Sequence, residues 1–264
     1  MGLQGGGATW YGIGGRGYHG TLTNMDPAAD WITTEKGHAL DFNTGSSEAV
    51  IVPYAEPLIL YNTDYTVQVW LDLEATNAAW TGIIGSGDVS DVQWFIQRNS
   101  SGPDARVYHS TTQATLTNLW GALDGAGWVL LTVTYRLSDK YIEAWINGSV
   151  YTTATHTVAV PTNQKRVVIG ASRELTSING RIGMAALYNR ILRPSEIQTV
   201  SQYPNALVIP RQRVFPAVTA GVLTGIEETF QNYEPFPNSE FIGTTQATGG
   251  TPSYEWQVLS EYQV

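Results

Sequence analysis

Trp128-Val129-Leu130-Leu131-Thr132-Val133-Thr134-Tyr135, followed by Tyr141-Ile142-Glu143-Ala144-Trp145-Ile146-Asn147-Gly148, is the stretch on which the fold turns. Val129, Leu131, Val133 and Tyr135 fall on one side of an extended chain, and Thr132 and Thr134 fall on the other. That period of two is the mark of a half-buried strand. Ile142, Ala144 and Ile146 alternate in the same way against Tyr141, Glu143 and Asn147. Asn147-Gly148 supplies the two positive-φ residues that a type I′ turn needs, so residues 141–147 and 149–155 are predicted to form one hairpin. Downstream, Val167-Val168-Ile169-Gly170 reads as a strand, and Ile182, Met184, Ala186 and Tyr188 as one face of another. Pro194 then stands at a first helical position with Glu196 in the first turn, where the helix dipole favours an anion. This short helix is expected to end near Tyr203-Pro204. Upstream, Tyr65, Val67, Val69, Leu71 and Leu73 alternate with Thr66, Gln68, Trp70 and Asp72. Residues 82–85, 92–98 and 105–110 read as shorter strands. Many short strands with turns between them predict an all-β sandwich or barrel.

The bulk composition narrows the classes. The 264 residues are 42% hydrophobic and include 9 Trp, enough for a large core. A net charge of −9 argues against a nucleic-acid partner, which calls for clustered Lys and Arg. There is no cysteine, hence no disulfide framework and no thiolate metal site. The opening Met1-Gly2-Leu3-Gln4 and its glycines have neither a basic nor an apolar segment, so no signal peptide is expected. No apolar run is long enough to be expected in a membrane. Residues 1–203 read as one domain and 204–222 as an arm containing Pro204, Pro210, Arg211, Arg213 and Pro216. Residues 223–264 read as an extended acidic tail with aromatics at Phe230, Tyr233, Phe236, Phe241, Tyr254 and Trp256. Such a tail cannot by itself bury enough apolar area to offset chain ordering. Contacts with its own domain or with partner subunits are expected to hold it.

A family resemblance is carried by two runs. The first is Gly15-Arg16-Gly17-Tyr18-His19-Gly20-Thr21-Leu22-Thr23-Asn24-Met25-Asp26-Pro27, with Asp30-Trp31 and Ala39-Leu40-Asp41-Phe42. The second is Gly180-Arg181-Ile182-Gly183-Met184-Ala185-Ala186-Leu187-Tyr188-Asn189-Arg190 with Leu192-Arg193-Pro194-Ser195-Glu196-Ile197. Together they resemble a laminin-G-like, concanavalin-A-like jelly roll over the first three quarters of the chain. The version with Thr-Leu-Thr-Asn-Met-Asp-Pro is similar to domains of bacteriophage and environmental viral proteins. Two departures stand out. Members usually open with a strand of the type Leu-Val-x-Tyr-Trp-Pro-Leu, which is missing or replaced here; the tail or a partner's strand is expected to fill that edge. Viral relatives often continue into Pro-Trp-x-Leu-Phe, where this chain has Pro204-Asn205-Ala206-Leu207-Val208.

Gly12-Ile13-Gly14-Gly15-Arg16-Gly17 matches a dinucleotide fingerprint in letters, but its context reads as a glycine-rich turn rather than strand, loop and helix. Related glycosidases carry Glu-x-Asp-x-x-Glu on one strand, and no Glu here is followed two residues later by Asp. Asp72 and Glu74 share a strand side but read as a solvated pair. His19, His38, His109 and His156 are scattered, against a zinc site. No Gly-x-Ser-x-Gly elbow is present. The resemblance implies that one calcium ion is a possible cofactor on rim loops, with Asp41, Asn43, Asp88 and Asp91 as oxygen donors, although turn roles account for them better. Trp70, Trp80, Trp94, Trp120 and Trp145 are the candidates for a sugar-stacking platform, against core roles. Asn99-Ser100-Ser101 and Asn147-Gly148-Ser149 match glycosylation sequons and read as polar turns.

The expectation from sequence is therefore a concanavalin-A-like (laminin-G-like) jelly-roll β-sandwich with a short C-terminal helix and an extended arm. It carries no catalytic, cofactor-binding or metal residue that the sequence can name. The expected role is non-enzymatic: a bacteriophage capsid decoration or cement protein, with a tail-associated protein next. Its partners would be the major capsid protein or other virion proteins, as a homo-oligomer on the particle and without nucleic acid or membrane. The expected location is the virion, assembled in the host cytoplasm. The alternative is a carbohydrate-binding module or adhesin that reads a host surface glycan, calcium-dependent in one version. A degenerate hydrolase ranks third.

Overall fold

The computed structural model describes residues 5–12, 18–34, 37–58, 60–75, 77–88, 91–100, 102–162, 165–172, 174–203, 213–218 and 254–259. The chain divides into two compact units, Met1–Ile209 and Pro210–Val264. In the first unit the strands run in the order β1 (Gly5–Gly6), β2 (Thr9–Trp10), β3 (Gly20–Thr23), β4 (Trp31–Thr34), β5 (Gly37–Phe42), β6 (Ala49–Val52) and β7 (Tyr65–Leu73). They continue as β8 (Gly82–Asp88), β9 (Asp91–Arg98), β10 (Ala105–His109), β11 (Thr112–Leu116), β12 (Val129–Arg136), β13 (Tyr141–Ile146), β14 (Ser149–Thr155), β15 (Val167–Ile169) and β16 (Gly180–Tyr188). Two short helices, α1 (Leu119–Leu123) and α2 (Pro194–Gln202), complete it. In the second unit β17 (Arg213–Val218) and β18 (Tyr254–Leu259) pair antiparallel. The sequence reading missed this pair. The other residues of the expected arm and tail lie outside the described ones.

Two antiparallel sheets make the sandwich. One has the order β1-β2-β3-β6-β15-β8-β9-β10-β11 and the other β14-β13-β12-β7-β16-β5-β4. The alternating sets read from sequence in β7, β12 and β13 point between them. Val67, Val69, Leu71 and Leu73 of β7 and Val129, Leu131, Val133 and Tyr135 of β12 join one buried cluster with Trp94, Ile96 and Val107 of the facing sheet. Asn147 and Gly148 have φ of 50° and 84°, as the I′ turn demands. The position beside β3 belongs to β2, where Thr9 pairs with Thr21 and Trp10 with Gly20. Trp10 is buried and meets Trp31 edge-on at 6.2 Å. The chain's own N-terminal stretch thus holds the place where a tail or a donated strand was expected.

One strand departs from the simple alternation. Ile182 pairs with Leu71, but Met184 pairs with Trp70, so Gly183 is an extra residue in β16. A bulge of one residue moves every later side chain to the other face. Ile182 and Ala185 therefore face the core, while Met184 turns outward. The expected common face of Ile182, Met184, Ala186 and Tyr188 is split at that bulge.

The outward Met184 is covered rather than exposed. It packs with Trp70, Leu130 and Val200 of α2. Trp145 packs with Leu192 and Ile197 next to them. Helix α2 begins at Pro194, and the Glu196 carboxylate accepts a hydrogen bond from the Arg193 N–H at 2.8 Å, closing its first turn. Arg190 grips the same carboxylate through two bonds of 2.8 Å. Together these hold the Glu196 carboxyl below its ordinary range. The seven-stranded sheet is in this way roofed by α2. No helix among the described residues is long and apolar enough to cross a membrane.

The nine-stranded sheet has its own outer apolar layer, with Ala49, Phe95, Tyr108 and Val168. Gly85 pairs with Phe95, and a Cβ at Gly85 would lie 2.2 Å from the Phe95 ring and 2.6 Å from the Trp94 carbonyl oxygen. Gly85→Ala is expected to cost about 1–3 kcal/mol as an overpacked site and to lower the melting temperature by several degrees. An unchanged thermal melt would show that the ring does not rest on the glycine.

Candidate functional site

Of the five tryptophans proposed for a sugar platform, four are core residues. Trp70, Trp94, Trp120 and Trp145 are 6%, 0%, 0% and 8% exposed, and Trp80 is 40% exposed. Trp80 sits in the loop between β7 and β8, and that loop is tied at both roots. Asn77, itself buried, donates through Nδ2 to the Glu74 carbonyl at 2.6 Å and to the Asn179 carbonyl at 3.2 Å, and its Oδ1 accepts from the Asn179 N–H at 2.7 Å. The Arg98 guanidinium donates to the Asn77 carbonyl. At the other root Thr81 Oγ1 donates to the Ala78 carbonyl at 2.8 Å, and the Arg98 N–H to the Thr81 carbonyl at 2.8 Å. Between the roots, Ala78, Ala79 and Trp80 project into solvent.

Trp80 has a φ of 64°, in the left-handed region. For a bulky residue this is a strained conformation, on the order of 1–3 kcal/mol, that persists only where the surroundings enforce it. The strain brings the indole onto the outer face of the nine-stranded sheet. There the Arg106 guanidinium carbon lies 5.6 Å from the ring centroid. Arg106 Nη1 donates to Gln113 Oε1 at 2.6 Å. The strand register sets Arg106 between Gln97 of β9 and Thr115 of β11. Ala105 and Val107 face the core, so Arg106 and its two neighbours face outward. Gln113 and Thr115 are exposed. The result is a shallow patch of one open aromatic face, a guanidinium, an amide and a hydroxyl. An indole stacks on the apolar face of a sugar ring, and the polar groups meet its hydroxyls.

A family model described as the concanavalin A-like lectin/glucanases superfamily matches residues 44–198, more than half of the chain. The chain belongs to this superfamily. No curated protein sequence matches it. Among solved structures it is similar to a Trypanosoma rangeli sialidase in complex with 2,3-difluoro-KDN. That match has a TM-score of 0.56 at 14% identity and covers 80% of this chain and 33% of the sialidase chain. It is also similar to the binding domain of botulinum neurotoxin DC in complex with SialylT (TM-score 0.51, 15% identity, 76% of this chain and 49% of that one). Domain 4 of AbnA, a GH43 extracellular arabinanase from Geobacillus stearothermophilus, in complex with arabinotriose, gives a TM-score of 0.52 at 20% identity over 69% of this chain and 82% of the domain. The chain spans a third of the length of the sialidase and about half of that of the neurotoxin fragment. At such identities the likeness shows the fold alone.

The lectin/glucanase sandwich does not bring the four proposed calcium donors together. Asp41 and Asn43 lie at the end where Thr176 accepts from the Gly82 N–H and Ser177 Oγ donates to the Glu48 carbonyl. Asp88 and Asp91 lie at the far end of β8, a strand of 7 residues and so roughly 20 Å away. Asp41 lies 3.6 Å from Arg181 Nε, and Asp91 pairs with Lys165 at 3.2 Å. The Asn43 N–H donates to Glu48 Oε2 at 2.5 Å. Burial raises the Asp41 carboxyl above its ordinary range, against the Arg181 charge that lowers it. These residues do not fit one calcium site, and among the described residues no three His, Asp or Glu side chains converge on one. Asp72 likewise meets Arg181, at 3.4 Å, and Glu74 accepts from Asn179 Nδ2 at 2.9 Å. Gly12 lies between antiparallel β2 and β3, with its N–H donating to His19 Nδ1 at 3.0 Å; residues 13–17 lie outside the described ones. The Asn147 amide oxygen is taken by the Leu130 N–H at 2.9 Å, a turn role.

Two of the scattered histidines meet. His109 and His156 stack with centroids 4.1 Å apart in the core. His109 Nε2 lies 2.9 Å from the Tyr65 hydroxyl and Nδ1 lies 3.1 Å from the Val158 carbonyl. In the neutral ring that network assigns, Nδ1–H donates to the carbonyl and Tyr65 O–H donates to Nε2. His156 Nδ1 accepts from the Val158 N–H at 3.2 Å, so a proton there would break that bond. Burial pushes His109 from 6.5 to about 3, with the neighbouring His156 adding to the effect, and burial lowers His156 as well. Folded values below the unfolded ones mean that the unfolded chain takes up protons first. Stability is then level above pH 6.5 and falls as pH drops toward about 3. The slope for one such histidine is at most about 1.4 kcal/mol per pH unit. In urea melts at pH 7.5 and pH 5, His109→Gln is expected to shrink the loss of stability seen in the parent. An equal loss in both proteins would remove the stacked pair as its cause.

Proposed function

We propose that this chain is a non-catalytic glycan-binding module whose contact surface is the Trp80 patch. The observation that carries the reading is a tryptophan held in a strained backbone conformation, on a loop tied at both roots, with its ring open to solvent. Membership of a lectin and glucanase superfamily supports it. So do the structural neighbours whose partners are sugars, a sialylated ligand and arabinotriose. Asp72 and Asp41 answer Arg181, and Glu74 answers Asn179, which supports a structural role for these carboxylates rather than acid and base roles.

A second reading places the chain in a bacteriophage particle, as a capsid decoration or tail-associated protein in contact with the major capsid protein or other virion proteins. It is favoured by the likeness of the 15–27 and 180–197 runs to viral domains. The separate compact unit Pro210–Val264, which contains the β17–β18 pair, supplies a second surface for such contacts. The two readings are compatible, since a particle's outer surface is where a glycan-reading module would act.

The test is a glycan array with the parent protein and Trp80→Ala. At least tenfold weaker binding in the variant, about 1.4 kcal/mol, is expected, with the thermal melt kept within about 0.5–1 kcal/mol of parent stability because the side chain is partly exposed. Undiminished binding by Trp80→Ala would move the contact surface elsewhere, and no binding to any glycan would overturn the reading.

A further inference from the structure

We infer that the sugar taken by this patch carries a carboxylate, held by Arg106. The inference rests on the glycan-binding reading and adds the chemical class of the ligand. Arg136, Arg181 and Arg190 are each answered by a carboxylate: Asp139 at 2.8 Å, Asp72 and Asp41 at 3.4 and 3.6 Å, and Glu196 at 2.8 Å. No carboxylate among the described residues answers Arg106, in a chain with 23 acidic and 14 basic residues. Its contacts are the Trp80 ring and the Gln113 amide oxygen. Both fix the direction of the guanidinium, and neither neutralises it. One of its five N–H groups is committed to Gln113, and among the described residues the Nη2 hydrogens have no acceptor.

A second observation points the same way. Arg106 Nε and Gln97 Oε1 are buried polar atoms without a hydrogen-bond partner among the described residues, and they lie on neighbouring residues of one rung. Each unpaired buried polar atom carries a desolvation cost, so this rung keeps hydrogen-bonding capacity that its own strands do not use. A carboxylate is the group that suits a guanidinium fork, in bond geometry and in charge. The overall negative charge of the protein does not prevent this. At physiological salt charges beyond about 8 Å are largely screened, whereas a contact pair is not. Trp80 would stack on the ring of the same sugar, so the aromatic contact and the ion pair would act on one residue of the glycan.

The experiment measures binding of the full chain to sialyllactose and to a galacturonate oligosaccharide, each beside its carboxyl-reduced counterpart. Parent, Trp80→Ala, Arg106→Gln and Arg106→Lys are compared, with a thermal melt of each. The expected result is at least tenfold tighter binding of one acidic sugar than of its reduced form, and the sugar that shows it identifies the source of the carboxylate. Arg106→Gln closes that gap. Arg106→Lys, which keeps the charge and the stem should the Gln variant fail to fold, closes part of it. Equal binding of acidic and reduced sugars by the parent overturns the inference while leaving the glycan-binding reading standing, provided Trp80→Ala still weakens both. A gap that survives in Arg106→Gln also overturns it. Absence of binding to every sugar overturns both readings.

Discussion

Strand β7 is buried on both of its faces, and the placement of the other elements follows from that burden. Its inner set, Val67, Val69, Leu71 and Leu73, meets the facing sheet across the core. Each such side chain adds about 1.5–3 kcal/mol when removed from water. Its outer set carries polar groups that must find partners without water. Thr66 Oγ1 donates to the Arg190 carbonyl at 2.8 Å and accepts from the Leu192 N–H at 3.0 Å. Gln68 Nε2 donates to Thr132 at 3.1 Å. The Thr66 bonds dock the segment after β16 on the sheet, and α2 then lands over Trp70, Leu130 and Met184. With the helix spent on one sheet, the outer side of the other stays open along β10 and β11, where Gln113 and Thr115 are exposed.

Much of this was legible in the sequence where one local rule decided the outcome. The alternation in β7 and β12, the Asn147-Gly148 turn and the Pro194 and Glu196 positions of α2 each depend on residues within one element, and all stand in the structure. What escaped depends on a single inserted residue or on distant segments. Gly183 looks like any glycine in a strand, yet its insertion reverses the faces of the residues after it. The five tryptophans look alike in composition. Which of them is open depends on α2, the docked segment and the roots of one loop. Asp41 and Asp88 look equally suited to a cation, and the direction of β8 sets them at opposite ends. His109 and His156 come together only because β10 and the segment after β14 meet at one edge of the sandwich.

The Trp80 patch also shows why a sandwich of this kind lends itself to recognition. Its position is set by bonds from two separate segments, through Arg98 and Asn179, and from the loop's own root at Glu74, all converging on Asn77. On the glycan-binding reading, little conformational freedom would remain to be lost on binding, which is where weakly packed contacts usually forfeit affinity. The Arg106 fork is aimed in advance by Gln113 in the same sense.

The two clamped roots of the 74–81 loop have an evolutionary consequence. Asn77 and Thr81 belong to the scaffold, whereas Ala78, Ala79 and Trp80 touch solvent and contribute little to the core. On the proposed glycan-binding reading, changes in this three-residue cassette would alter ligand preference, whereas changes at the residues to either side would act on folding.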